Sequence, residues 1–138
     1  MHDFLTPVLA LILWTLVMWF VMYWRRIPAM NTITKDTQEF IRNPKLGEKI
    51  PAKARWAADN YNHLHEQPVI FYALVGYLFL TNQTDSFNLY VAWAYVAIRV
   101  IHSLVQITSN KVMVRFPLFA LGSLMLMIMA VRAALHVF

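Results

Sequence analysis

The sequence predicts an all-α integral membrane protein, a bundle of four transmembrane helices forming one domain over residues 1–138. Three observations carry that expectation. The chain is 59% hydrophobic and 14% charged, more apolar than a soluble domain of 138 residues needs. Its apolar residues gather in four runs, each long enough at 1.5 Å per residue to cross a hydrocarbon core of roughly 30 Å. Apart from Arg99 and Arg132, its basic residues lie in the segments flanking those runs. The net charge of +5 therefore speaks for topology and contact with anionic membrane lipid, and no nucleic-acid partner is expected.

The first span covers about 4–24, because Phe4–Trp24 contains no charged residue. Asp3 stands where a secretory signal would be basic, and the apolar run is too long for one, so this helix is expected to be retained. Residues 25–55 form a connection punctuated by Pro28, Pro44, Gly47 and Pro51, with room for a short amphipathic helix near Thr34–Ile41 capped by Thr34. A second span over about 57–81 enters through polar residues, and Pro68, which cannot donate to the Leu64 carbonyl, predicts a kink there. A tight polar turn leads to a third span at about 87–108. A short link at 109–115 leads to a fourth at about 116–137, whose Arg132 and His136 are expected to snorkel to the outer interface.

Charge then orients the bundle. The first connection and its flanks carry Arg25, Arg26, Lys35, Arg42, Lys45, Lys49, Lys53 and Arg55, the third carries Lys111 and Arg115, and the second carries no basic residue. With four spans, the first and third connections share a side. The excess of basic residues predicts that loops 25–55 and 109–115 are cytoplasmic and that both termini lie opposite.

The segment Asp59–Pro68 is the richest in chemistry. It places Asp59, Asn60, Asn62, His63, His65, Glu66 and Gln67 directly before the strongly apolar Val69–Thr81. On one helix Asp59, His63 and Glu66 fall at i, i+4 and i+7 and share a face. In the third span Arg99, His102, Ser103 and Gln106 also share a face, which Asn110 extends. An arginine in mid-membrane costs roughly 2.5–3.5 kcal/mol on insertion scales, so Arg99 is expected to point inward and meet an acid, Glu66 first and Asp59 as the alternative. His63, His65, Glu66 and His102 are metal-ligand types. His63 and His65 point to different faces, however, and no HExxH spacing occurs, so no metal site is expected. The chain has no cysteine, and any thiol nucleophile must come from outside.

Three stretches resemble the MAPEG family, the membrane-associated proteins in eicosanoid and glutathione metabolism, and its small bacterial members in particular. They are Ala58-Asp59-Asn60-Tyr61 through Glu66-Gln67-Pro68-Val69-Ile70-Phe71-Tyr72, then Ala97-Ile98-Arg99-Val100-Ile101-His102-Ser103, then Asn110 through Arg115-Phe116. The resemblance implies a homotrimer of four-helix subunits, with sites between neighbours near the cytoplasmic helix ends. It implies glutathione as co-substrate, bound in characterised members by an Arg-x-x-x-Asn-x-x-Glu pattern, by tyrosines of the third helix and by arginines at loop ends. Mapped here, Arg25, Arg26, Arg55, Asn60, Asn62, His63, Glu66, Arg99, His102 and Gln106 become the binding candidates, and Arg115 becomes the catalytic candidate that stabilises the thiolate. Asp59 occupies the pattern's arginine position and His63 its asparagine position, while His102 and Gln106 stand where tyrosines would be.

Two function classes follow. One is an enzyme that transfers a thiol to, or reduces a peroxide of, a lipophilic small molecule entering from the bilayer. The other is a non-catalytic module that holds a lipid or amphiphile, with the polar cluster as a structural network. Ion or proton passage through the bundle is disfavoured, because the outer halves of the second and third spans lack matching ionisable residues.

Overall fold

The computed structural model describes residues 2–36 and 38–138. These residues form helices and no strand: α1 (Thr6–Ile33), α2 (Glu39–Arg42), α3 (Ala52–His63), α4 (Gln67–Leu80), α5 (Ser86–Thr108) and α6 (Val112–Val137), with 3-10 turns at His2–Leu5 and Pro44–Lys49. Three helical stretches are long and apolar enough to cross a membrane: Asp3–Ile33, Ser86–Thr108 and Val112–Val137.

The second span departs from expectation. Residues 57–81 are not one kinked helix but the end of α3, a turn at Leu64–Glu66 and then α4. Pro68 sits in the first turn of α4, where its missing N–H costs nothing. In a continuous helix its ring would collide with the Leu64 carbonyl, so the chain stops and restarts. Glu66 takes φ −98° and ψ −94° at this junction, outside the helical region. At 14 residues, α4 spans about 21 Å and falls short of a hydrocarbon core by itself.

The first connection also differs. Helix α1 continues past Trp24 and Pro28 to Ile33, and the short helix is confined to Glu39–Arg42. Thr34 does not cap that helix, because its hydroxyl accepts instead from the Asp36 amide at 3.2 Å. Thr37, inside the segment expected to be helical, lies outside the described residues.

Helix α1 buries a single stripe, Pro7, Leu11, Thr15, Met18 and Met22, and turns the remainder of its apolar surface outward. Helix α5 is the most enclosed, packing chiefly on α6 and also on α1 and α3. Leu11, Phe71, Val75, Leu78, Ala92, Tyr95 and Met129 are fully buried, and Phe71 stacks on Tyr95 with ring centroids 4.7 Å apart. Outside this core Leu9, Phe20, Ile70, Leu80, Tyr90 and Leu135 are exposed, a surface suited to lipid.

The α5–α6 seam depends on Gly122. A methyl group there would lie 3.5 Å from both Ile98 Cγ2 and Tyr95 Cε2, which is ordinary contact, and a larger side chain has no room. Gly122→Ala is expected to leave the thermal midpoint nearly unchanged. Gly122→Leu is expected to cost about 1–3 kcal/mol through overpacking, read as a lowered midpoint in detergent.

Hydrogen bonds complete the interior. Tyr95 Oη donates to Gln67 Oε1 at 3.1 Å, Gln67 Nε2 donates to Ser123 Oγ at 2.6 Å, and Ser123 Oγ donates to the Phe119 carbonyl at 2.9 Å, so α4, α5 and α6 are tied at the level of the helix break. At the opposite end Arg132 does not simply reach outward as expected. Its Nη2 meets Asp85 Oδ2 at 2.6 Å, its Nε donates to Asn88 Oδ1 at 3.3 Å, and its guanidinium lies 4.3 Å from the Phe87 ring centre. The turn between α4 and α5 thus binds the last helix to the start of α5. That placement was not legible in the sequence, because Asp85 and Arg132 are 47 residues apart.

Candidate functional site

Arg25 of α1, the start of α3, the C-terminal end of α5 and the start of α6 meet at one end of the bundle. Arg25 establishes this directly: its Nη1 donates to the Ile107 carbonyl at 2.6 Å and to the Lys53 carbonyl at 3.4 Å, joining α1 to α5 and α3. Arg25 is thereby committed to main-chain acceptors. Apart from Glu66, the remaining expected site residues fall into three groups.

The first group lines a cavity of about 250 Å³. His63 from the end of α3, His102 from α5 and Arg115 from the first turn of α6 supply its polar side, and Val112, Phe116 and Phe119 supply an apolar side. The His63 and His102 rings are 6.5 Å apart and nearly perpendicular. Val112, Phe116 and Phe119 are all exposed, so the apolar wall is continuous with the lipid-facing surface. The Nε of Arg115 is shielded from solvent and without a hydrogen-bond partner.

The second group lines a larger cavity of about 500 Å³ between the end of α1, the 3-10 turn, α3 and the α5–α6 link. Arg26, Arg55 and Asn62 belong to it, together with Asp59 and Asn110. Asn110 adopts the left-handed conformation, φ 51°, held by its amide donating to the Val105 carbonyl at 2.7 Å. Such caps favour glycine, with asparagine the usual substitute.

The third group is interior. Asn60, Arg99 and Gln106 are at most 1% exposed and, with Ser103 and His102, present side-chain atoms with no hydrogen-bond partner: both amide atoms of Asn60, Nε and Nη2 of Arg99, Oγ of Ser103, Oε1 of Gln106 and Nδ1 of His102. Buried polar groups are ordinarily satisfied, so this many open valences set the interior face apart from the apolar core around it.

The expected Arg99–Glu66 pair is absent. Among the described residues no carboxylate lies within 4.0 Å of Arg99, and Glu66 instead sits 3.5 Å from His63 Nδ1 with its side chain 68% exposed. The inward face of α3 carries Ala54, Ala57 and Asn60, while Asp59 is exposed and His63 only half-buried, so Glu66, placed in the turn after α3, stays at the surface beside His63. Among the described residues no three His, Asp or Glu side chains converge as a metal set.

The sequence model of the MAPEG family matches residues 4–135, nearly the entire chain. The chain belongs to the MAPEG family. No curated protein and no solved structure matches it significantly. Within this MAPEG protein, Val112, Phe116, Phe119 and Asn110 were not singled out as site residues by sequence reasoning. The three apolar ones carry no chemical signature, and Asn110 shows its role only through its backbone conformation.

Proposed function

We propose that this MAPEG protein is a membrane enzyme that joins an external thiol of the glutathione type to a lipophilic electrophile, or uses it to reduce a lipophilic peroxide. The 250 Å³ cavity carries the reading: two imidazoles and a guanidinium face an apolar wall that opens toward lipid. An apolar electrophile can arrive from the bilayer along Phe116 and Phe119 while an anionic nucleophile is held at Arg115. Thiols are mostly protonated at neutral pH, and a cation at the sulfur favours the thiolate. In transfer to an aryl halide the sulfur forms the S–C bond, the C–halogen bond breaks, halide leaves and the thiol proton passes to water.

The division of the binding candidates between two cavities of one chain supports a site completed by a neighbouring copy, as in a homotrimer, with Arg26 and Arg55 of one subunit serving the thiol's carboxylates. The gathering of Arg25, Arg26, Lys53, Arg55, Lys111 and Arg115 at this end of the bundle supports a cytoplasmic placement of that site. The test is calorimetric titration of glutathione into the detergent-purified protein, followed by turnover of a nitroaryl chloride. Saturable binding weakened by Arg115→Ala is the expected result. No binding at millimolar glutathione rejects the reading.

A second reading is favoured by Asp59 and His63, which replace the arginine and asparagine of the glutathione pattern: the same cavity holds a lipid or amphiphile without turnover. Copurifying lipid that is lost on Phe119→Asp, in a protein inactive toward every electrophile tried, is the result that selects it.

A further inference from the structure

A third cavity, of about 210 Å³, lies between α1 and the broken second span and shares no lining residue with the other two. Thr15 of α1, Tyr61 of α3, His65 of the turn and Tyr72 of α4 line it, and Ile12, Leu16 and Val69 add exposed apolar walls. Its depth follows from the chain. Thr15 stands in the middle of the uncharged run Phe4–Trp24, ten residues from Arg25 and therefore about 15 Å from it along the helix, half of a hydrocarbon core of roughly 30 Å. The surroundings at this level are hydrocarbon, which satisfies no polar group, so an imidazole placed here calls for a partner. His65 Nδ1 lies 2.9 Å from the Tyr61 carbonyl. A carbonyl only accepts, so Nδ1 carries the proton and Nε2 of the neutral ring is left as an acceptor. Among the described residues no hydrogen bond within 3.5 Å engages that Nε2 or the Tyr61 hydroxyl. The lining contains no Asp, Glu, Lys or Arg.

We infer that this cavity binds a lipophilic phenol or quinol, whose hydroxyl donates to His65 Nε2 and accepts from the Tyr61 hydroxyl while its ring packs on the Tyr61 and Tyr72 side chains. An anionic or ammonium head finds no counter-charge in the lining, and a plain hydrocarbon leaves the imidazole acceptor open in lipid. A glyceride carries its hydroxyl at the headgroup level, about 15 Å away by the same helical rise. A phenol whose hydroxyl is its sole polar group resides at mid-membrane. The size agrees: an apolar cavity of about 150 Å³ holds benzene, so 210 Å³ admits one substituted ring. The site uses no residue assigned to the thiol or its electrophile, and the inference holds whether or not a thiol is turned over.

The experiment is calorimetric titration of 4-heptylphenol and its methyl ether, 4-heptylanisole, into the full chain in detergent, each corrected for detergent alone. The phenol is expected to bind saturably. The ether has no O–H to donate and is expected to bind about tenfold more weakly, the loss of one hydrogen bond that leaves the His65 acceptor open. His65→Phe keeps a ring and removes the acceptor, and is expected to bring the phenol down to the level of the ether. Phe119→Ala, in the 250 Å³ cavity, is expected to leave the preference unchanged. Equal binding of phenol and ether to the unaltered protein overturns the inference, and so does the absence of saturable phenol binding, the result expected if a neighbouring copy of the chain fills the cavity. These two criteria need no variant and hold even if His65→Phe does not fold. A preference that survives His65→Phe, or that disappears in Phe119→Ala, places the phenol elsewhere and overturns it as well.

Discussion

Arg115→Ala is expected to lower thiol-dependent turnover by about 10²–10³-fold, the usual loss when one preorganised charge at the reacting atom is removed, while the protein keeps its fold. Arg115 lies in the first turn of α6 and lines the cavity with His63 and His102, and its Nε has no partner to lose. Because the side chain holds no helix in place, the thermal midpoint and the elution volume in detergent should stay at those of the unaltered protein. Arg115→Lys, which keeps the charge but loses the planar donors, should recover part of the rate. A variant that unfolds, or one that retains full turnover, removes Arg115 from the chemistry.

Arg99→Met is expected to do the opposite to stability. Arg99 is 1% exposed, two of its guanidinium nitrogens have no partner, and no carboxylate lies within 4.0 Å among the described residues. Placing arginine at the centre of a membrane helix costs roughly 2.5–3.5 kcal/mol on insertion scales, so an apolar side chain of similar length should raise the thermal midpoint. Ligand binding should fall at the same time if Arg99, which shares a face of α5 with His102 at the 250 Å³ cavity, contributes its charge to the site. Thermal melts of the two proteins in the same detergent, with and without glutathione, check both halves. Destabilisation by about 3–5 kcal/mol would instead show that Arg99 closes a structural network, as removal of one partner from a satisfied buried pair does.

The contrast between these residues shows which parts of the site could be read beforehand. Arg99, His102 and Gln106 were legible because all three lie on an uninterrupted helix, α5, where spacing converts directly into a shared face. Glu66 was misplaced because the same rule was carried past His63, where α3 ends and the turn at Leu64–Glu66 breaks the register. The clamp of Arg132 on Asp85 and Asn88, and the bonds linking Tyr95, Gln67 and Ser123, join residues distant in sequence. No local pattern announces such pairs.

By itself the sequence determined the helical class and the membrane setting, because hydropathy over a span and backbone satisfaction in lipid depend on composition and length alone. It also determined the family, which the match over residues 4–135 confirms. The tertiary structure decided that the second span is two helices, that Glu66 faces His63 and not Arg99, and that the candidate residues divide between two cavities flanking a buried, unsatisfied row. These outcomes depend on where a broken helix resumes and which side chains then compete for one partner. That competition is settled by packing among segments far apart in the chain, which periodicity does not encode.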